Sequence, residues 1–210
     1  MINVFIADDH AMIRDGLRRM LAATGDIRVT GEAASGDEVL EAVAATPVDV
    51  VVLDVAMPGK GFLEVLRELR ERFPKIHTVV LSAHAEEEYA ERALRAGAIG
   101  YVTKERTPED LQEAIRRAHR GGRYVSDTLA QQLAAHLAGE RPRPDHSALS
   151  DREYQVLQML GRGKSVKEIA AALALSPKTV STYRERVLEK LQLSTTADLI
   201  RYAVQQGIVE

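Results

Sequence analysis

The 210-residue chain contains no cysteine, which excludes disulfides and any thiolate metal site. It has no run of about 18 apolar residues, the length needed to span a bilayer, so no membrane association is expected. Its six histidines are scattered. None stands in an HExxH or similar ligand spacing, which argues against a zinc site. The opening stretch "MINVFIADDH" reaches acids by residue 8. It has neither the basic start nor the apolar core of a secretory signal, so a cytoplasmic location is expected.

What is present fits a soluble globular protein: 45% hydrophobic residues, 28% charged residues and a net charge of −3. The length allows one large domain or two small ones. Charge is unevenly placed, with +2 over residues 148–210 and −5 over the rest. By itself that is a weak signal for nucleic acid.

Over the first 120 or so residues, short aliphatic runs alternate with helical patterns. The runs are "NVFIA" (3–7), "IRVTGEA" (27–33), "VDVVVLD" (48–54), "TVVLSA" (78–83) and "IGYVT" (99–103). Between them, Ile13, Leu17, Met20 and Leu21 fall on one helical face, as do Val39/Leu40/Val43, Leu63/Leu66/Leu69 and Leu111/Ile115/Ala118. Thr107-Pro108 reads as the N-cap and first residue of the last of these helices, with Gly121-Gly122 closing it. This alternation predicts an α/β domain with a parallel sheet covered on both faces. A helical stretch at 127–138 follows, then a proline- and charge-rich linker at 138–150, semi-stiff by composition. Beyond it lie four helical patterns and no strand. The predicted organisation is a domain at 1–122, a helix and linker at 123–147, and a small all-α four-helix domain at 148–210.

The stretch "VVVLDVAMPG" (50–59) places the acid Asp54 at the end of an aliphatic strand, where a desolvated charge needs a partner. In an open parallel sheet, ligands bind outside the carboxyl ends of the strands. The first strand ends in Asp8-Asp9, the third in Asp54 and the fourth in Ser82, while the fifth leads into Lys104. Three acids at one edge call for a cation, and hard oxygen donors suit Mg²⁺. Beside a metal, a carboxylate can attack phosphorus to form an aspartyl-phosphate. Asp54 is the best-placed nucleophile, with Lys104 and Ser82 able to neutralise or hydrogen-bond the phosphoryl oxygens. The ordinary alternative is a set of loop acids capping the next helices, which would serve for one acid better than for three with a lysine and a hydroxyl.

"DDH" (8–10), "LDVAMPG" (53–59), "LSAH" (81–84) and "GYVTK" (100–104) resemble, in order and spacing, the receiver domains of bacterial response regulators. The resemblance covers essentially all of 1–122 and implies a five-stranded flavodoxin-like fold. It implies that a sensor histidine kinase phosphorylates Asp54. It implies that Asp9, Asp54 and the backbone carbonyl of Ala56 bind Mg²⁺ with help from Asp8, and that Ser82 and Tyr101 move together on phosphorylation. One position departs from the pattern: Phe62 stands where the family usually has glycine. Gly61, just before it, is then the expected source of a positive φ.

In the last 63 residues, "SVKEIAAALALSPKTVSTYRERVLEKL" (165–191) reads as two helices joined by a tight turn. The first presents Ile169, Ala170 and Leu173 inward. Ser176-Pro177 caps and starts the second, whose Val180, Val187, Leu188 and Leu191 share a face. Ser181, Thr182 and Glu185 project from the opposite surface and could reach base edges. Lys178, Thr179, Arg186 and Lys190 suit phosphate contacts, and Tyr183 could serve either way or pack. Periodicity alone equally allows a helical hairpin with a solvated charged face. Residues 149–193, however, resemble the helix-turn-helix of LuxR-type regulators in the NarL/FixJ family, nearest to its GacA/UvrY-type members. In that family a final helix, here 195–206, supports dimer contact, and many members have glycine where this chain has Ala174.

Together these readings predict a two-component response regulator that binds double-stranded DNA as a homodimer, with phosphorylation altering interdomain contacts, dimerisation and promoter binding. Two other readings compete. A regulator that no longer uses phosphate would keep the receiver as a dimerisation module. A Mg²⁺-dependent phosphatase with Asp54 as nucleophile would need a second acid two residues on, where this chain has Ala56.

Overall fold

Every residue of Val50–Asp54 is buried, as a strand covered on both faces requires. It is the middle strand, β3, of a five-stranded parallel sheet in a computed structural model that describes residues 1–83, 86–127, 129–131, 134 and 145–209. The chain divides into two compact units, Met1–Ala138 and Gly139–Glu210, each described by itself below.

The first unit runs β1 (Ile2–Ala7), α1 (Ala11–Ala22), β2 (Ile27–Ala33), α2 (Gly36–Ala45), β3, α3 (Phe62–Arg72), β4 (His77–Ser82), α4 (Glu86–Ala96), β5 (Gly100–Thr103) and α5 (Pro108–His119). Strand order is β2-β1-β3-β4-β5, the flavodoxin-like arrangement. Successive strand residues point to opposite faces. On one face Val4, Ile6, Val50, Val52, Val79, Leu81 and Val102 meet Leu21 of α1 and Leu111, Ala114 and Ile115 of α5. Residues of the other parity, Phe5, Val51, Leu53, Val80 and Tyr101, are buried as well. Thr107 caps α5 in a reciprocal box with Asp110, with Pro108 in the first turn. Of the helix read at 127–138, residues 127, 129–131 and 134 are described and are helical; its other residues, and most of the linker read at 138–150, lie outside the described residues.

The second unit begins with a 3₁₀ turn (Asp145–Ala148) and continues through α6 (Asp151–Gly161), α7 (Val166–Ala172), α8 (Pro177–Lys190) and α9 (Thr196–Gln205). Its core joins Val156, Leu157 and Leu160 of α6, Ile169 of α7, Val180 and Val187 of α8, and Leu199 and Ala203 of α9. Serine or threonine caps all four helices, at Ser150, Ser165, Ser176 and Thr195. Between α7 and α8, Ala174 has φ 53°, in the left-handed region. A Cβ there costs about 1–2 kcal/mol, and Ala174 is exposed, so its methyl returns little by packing. Ala174→Gly is therefore expected to stabilise this unit by about 1 kcal/mol after allowance for glycine's looser unfolded chain. A chemical unfolding midpoint that stays put or falls would contradict this.

Candidate functional site

In this strand order, β1 and β3 are neighbours whose connections depart in opposite directions, which opens a crevice at their carboxyl ends. Asp54, the last residue of β3, is 3% exposed, and Asp8, just past β1, is 1% exposed. Between them lies the ammonium of Lys104, just past β5, with Nζ 2.7 Å from Asp8 Oδ2 and 3.2 Å from Asp54 Oδ1. Burial pushes the Asp54 carboxyl above the usual carboxylate range. Lys104 opposes that shift, and the charge of Asp8 adds to it. For Lys104, burial works to lower the pKa, but the hydrogen bond to Asp8 and the two carboxylate charges outweigh it and raise it. One ammonium thus serves two buried acids, and Asp9, exposed in the adjoining loop, adds a third carboxylate nearby.

The β1–α1 loop fixes the acid pair through its backbone. The Asp8 N–H donates to Ala33 O of β2 (3.2 Å), and the His10 N–H donates to Asp8 Oδ1 (2.8 Å). His10 Nδ1 lies 2.7 Å from Asp9 Oδ1. Asp8, Asp9 and His10 form a group with ligand atoms within 4.8 Å of one another, close enough to hold a metal ion. Asp54 stands outside that group and is tied to it through Lys104. On the other flank, the Ala56 N–H donates to Asp54 Oδ2 (3.3 Å). Ser82 closes β4 fully buried, with its carbonyl accepting from the Lys104 N–H at 2.7 Å. Tyr101, in β5, is also fully buried.

The loop after Asp54 differs from expectation. Gly61 has φ −64° and acts as the N-cap of α3, so it is not the left-handed residue. That residue is Gly59, at φ 79°, where a Cβ would come within 2.1 Å of Asp37 Oδ2. The loop closes against the start of α2 two residues earlier than expected, and Phe62 becomes the first residue of α3.

In the second unit, α8 leaves Lys178, Thr182, Glu185 and Arg186 exposed, with Thr179, Ser181 and Tyr183 partly covered. Two hydroxyls are engaged locally: Thr179 Oγ1 pairs with Ser176 Oγ at 2.8 Å, and Thr182 Oγ1 donates to Lys178 O at 3.1 Å.

Comparison with known proteins places both units. Residues 4–116 match the response regulator receiver domain, and residues 147–203 match the luxR family of bacterial regulatory proteins. The chain belongs to the LuxR-type response regulators. It is 40% identical over 213 residues to response regulator GacA of Pseudomonas aeruginosa, covering 100% of this chain and 99% of that one. To response regulator UvrY of Escherichia coli K12 it is 36% identical over 209 residues, covering 99% and 96%. Among solved structures, RcsB from Salmonella enterica serovar Typhimurium, bound to promoter P1flhDC in the presence of the phosphomimetic BeF3−, matches with TM-score 0.63 and 26% identity. That match covers 96% of this chain and 97% of that one. This response regulator is thus a two-component transcription regulator, and among its described residues no helix is long and apolar enough to cross a membrane.

The response regulator's structure brings Asp8, Asp54, Ser82 and Lys104 to one edge, with Asp9 and Ala56 in the adjoining loops. Sequence reasoning missed His10 and two pairs that act over long sequence separations. One joins α1 to β2: Arg14 Nε lies 3.1 Å from Glu32 Oε2. The other concerns Lys190, read from sequence as a phosphate contact. Its Nζ lies 2.6 Å from Oε2 of Glu153, whose side chain is 3% exposed.

Glu153 sits in the reciprocal cap of α6. Burial works to raise its pKa, but Lys190 and the Ser150 donors outweigh it, so the carboxyl is held below its usual value. A depressed folded pKa gives stability that is present above the unfolded glutamate value of about 4.3 and lost as pH falls through the folded one. Lys190→Met is expected to destabilise the second unit by about 1–3 kcal/mol at neutral pH. It should also flatten the acid limb of the unit's unfolding midpoint against pH. Equal midpoints for variant and wild type at pH 7 would contradict this.

Proposed function

We propose that Asp54 accepts a phosphoryl group from a sensor histidine kinase and that this modification raises dimerisation and affinity for a two-half-site DNA element read by α8. The observation that carries the reading is the Lys104 ammonium held between buried Asp8 and Asp54 at the strand edge. An Asp54 oxygen attacks phosphorus, the bond from phosphorus to the donor's leaving atom breaks, and the donor departs with its electron pair. Lys104 is close enough to shift from Asp54 to a phosphoryl oxygen as the carboxylate charge is consumed. Ser82, on the adjacent strand end, supplies a hydroxyl, and Tyr101 is the second member of the switch.

The residues present fit Mg²⁺: hard carboxylate oxygens outnumber the ammonium of Lys104 beside them, and the burial of Asp8 and Asp54 makes the repulsion between those two costly. Asp8, Asp9 and Asp54, with the Ala56 carbonyl, would hold it. When bound, Mg²⁺ supplies positive charge to the phosphoryl oxygens. The protein acts as a phosphoryl acceptor rather than as a turnover enzyme, because Ala56 leaves no second acid two residues beyond the nucleophile.

DNA binding is assigned to residues 148–210, following a receiver at 1–122 and a helix and linker at 123–147. The N-terminal turns of α8 suit the major groove, with Ser181, Thr182 and Glu185 toward bases and Lys178, Thr179 and Arg186 toward phosphates. Tyr183 lies on the same helix. Solved RcsB complexes with promoter DNA, and of two RcsB dimers on two parallel DNAs, support this assignment and a homodimer. The test is DNA affinity by fluorescence anisotropy before and after treatment with acetyl phosphate and Mg²⁺. The wild type is expected to tighten and Asp54→Asn to stay at its untreated affinity. Equal tightening in both would overturn the assignment.

A further inference from the structure

The backbone of Asp8 is gripped from two directions, and the second grip is a side chain outside the pocket. On one side the Asp8 N–H donates to Ala33 O at the end of β2. On the other, Asp8 O accepts from an Arg14 terminal guanidinium nitrogen at 2.6 Å. Arg14 lies one turn into α1, and its Nε donates to Glu32 Oε2 at 3.1 Å. Glu32 is the residue before Ala33 on β2, so both grips are anchored on the same strand end. Arg18, one turn further along α1, holds the other Glu32 oxygen at 2.6 Å.

We propose that Arg14 is a positioning residue for the pocket, holding the Asp8–Asp9 loop in the geometry that receives the divalent cation. The inference rests on the reading of that pocket as a Mg²⁺ site. The guanidinium reaches two acceptors on different elements through donors fixed in one rigid plane, a fork that the compact, rotating ammonium of a lysine does not reproduce. Groups that orient metal ligands from behind typically change metal affinity by 10–100-fold when removed. Electrostatics alone makes the opposite claim: deleting a cation beside three carboxylates should tighten a divalent cation. The sign of the effect therefore separates positioning from charge.

The experiment is calorimetric titration of the full chain with Mg²⁺ for wild type, Arg14→Met, Arg14→Lys and Arg18→Met. Arg18→Met removes an equal charge from the same carboxylate without touching Asp8. Arg14→Met is expected to bind Mg²⁺ on the order of tenfold more weakly, Arg14→Lys to be weakened despite its charge, and Arg18→Met to bind no more weakly than wild type. The Mg²⁺ concentration at half-maximal phosphorylation by acetyl phosphate should shift in parallel, with circular dichroism showing each variant folded. Wild-type affinity or tighter in Arg14→Met overturns the inference while leaving the pocket's function intact. Loss that is equal in Arg18→Met overturns it in favour of a general weakening of α1. A wild type that takes up no Mg²⁺ overturns the reading beneath it.

Discussion

Lys104→Ala lowers the rate of Asp54 phosphorylation by acetyl phosphate about 10²–10³-fold, the usual effect of removing one preorganised donor from developing charge. Asp54 and Asp8 are both withdrawn from water, and Lys104 is the cation that touches both. Without it, burial and the Asp8 charge still push the Asp54 carboxyl upward while its main opposing influence is gone. A protonated carboxyl is a poor nucleophile, so the residual rate of the variant should rise with pH. The phosphoryl group would also lose its cationic partner on the protein. Rates followed by intact mass at fixed Mg²⁺ and several pH values give the answer. A variant as fast as wild type would remove Lys104 from the chemistry.

Phe62→Ala destabilises the first unit by about 3–5 kcal/mol, the cost of deleting a large buried aromatic. Phe62 is 2% exposed and meets the buried ring of Tyr89 edge-on, with centroids 5.8 Å apart and planes at 70°. That contact joins α3 to α4 beside the loop that follows Asp54. Part of the cost comes from transfer and the cavity left behind, and part from the aromatic pair, worth about 0.5–1.5 kcal/mol beyond its area. Unfolding in urea, followed by circular dichroism, should show an early transition for this unit and an unchanged one for the other. A shift below about 1 kcal/mol would mean that the site collapses around the gap and that Phe62 is not a keystone of the α3–α4 contact.

The same residue shows where sequence reasoning ran short. Strands were readable because β-branched runs bounded by turn residues have one economical solution in a doubly covered sheet. The stretch 27–33 coincides with β2, and the other four runs fall within two residues of their strands. The site was readable for a related reason: in a parallel sheet, chain order alone carries Asp8, Asp54, Ser82 and Lys104 to the same edge. The loop after Asp54 was different. Which glycine turns left-handed there depends on the α2 N-terminus, where Asp37 crowds Gly59 and Lys60 crowds Gly36. No local pattern near Gly61 carries that information. Arg14 with Glu32, and Lys190 with Glu153, were hidden in the same way, since each pair joins side chains on different elements that only the fold brings together. Ala174 was the converse case: the glycine that many family members have there marked the position, and its φ of 53° shows why glycine suits it.

Where the phosphate goes decides whether Asp54 is the switch. The full chain is incubated with acetyl phosphate and Mg²⁺, the acyl phosphate is trapped by borohydride, and the product is analysed by intact mass and peptide mapping. One labile phosphate is expected, on Asp54, and none on Asp54→Asn. A folded wild-type chain that stays unmodified, or a phosphate that maps to another residue, contradicts the assignment of Asp54 as the switch.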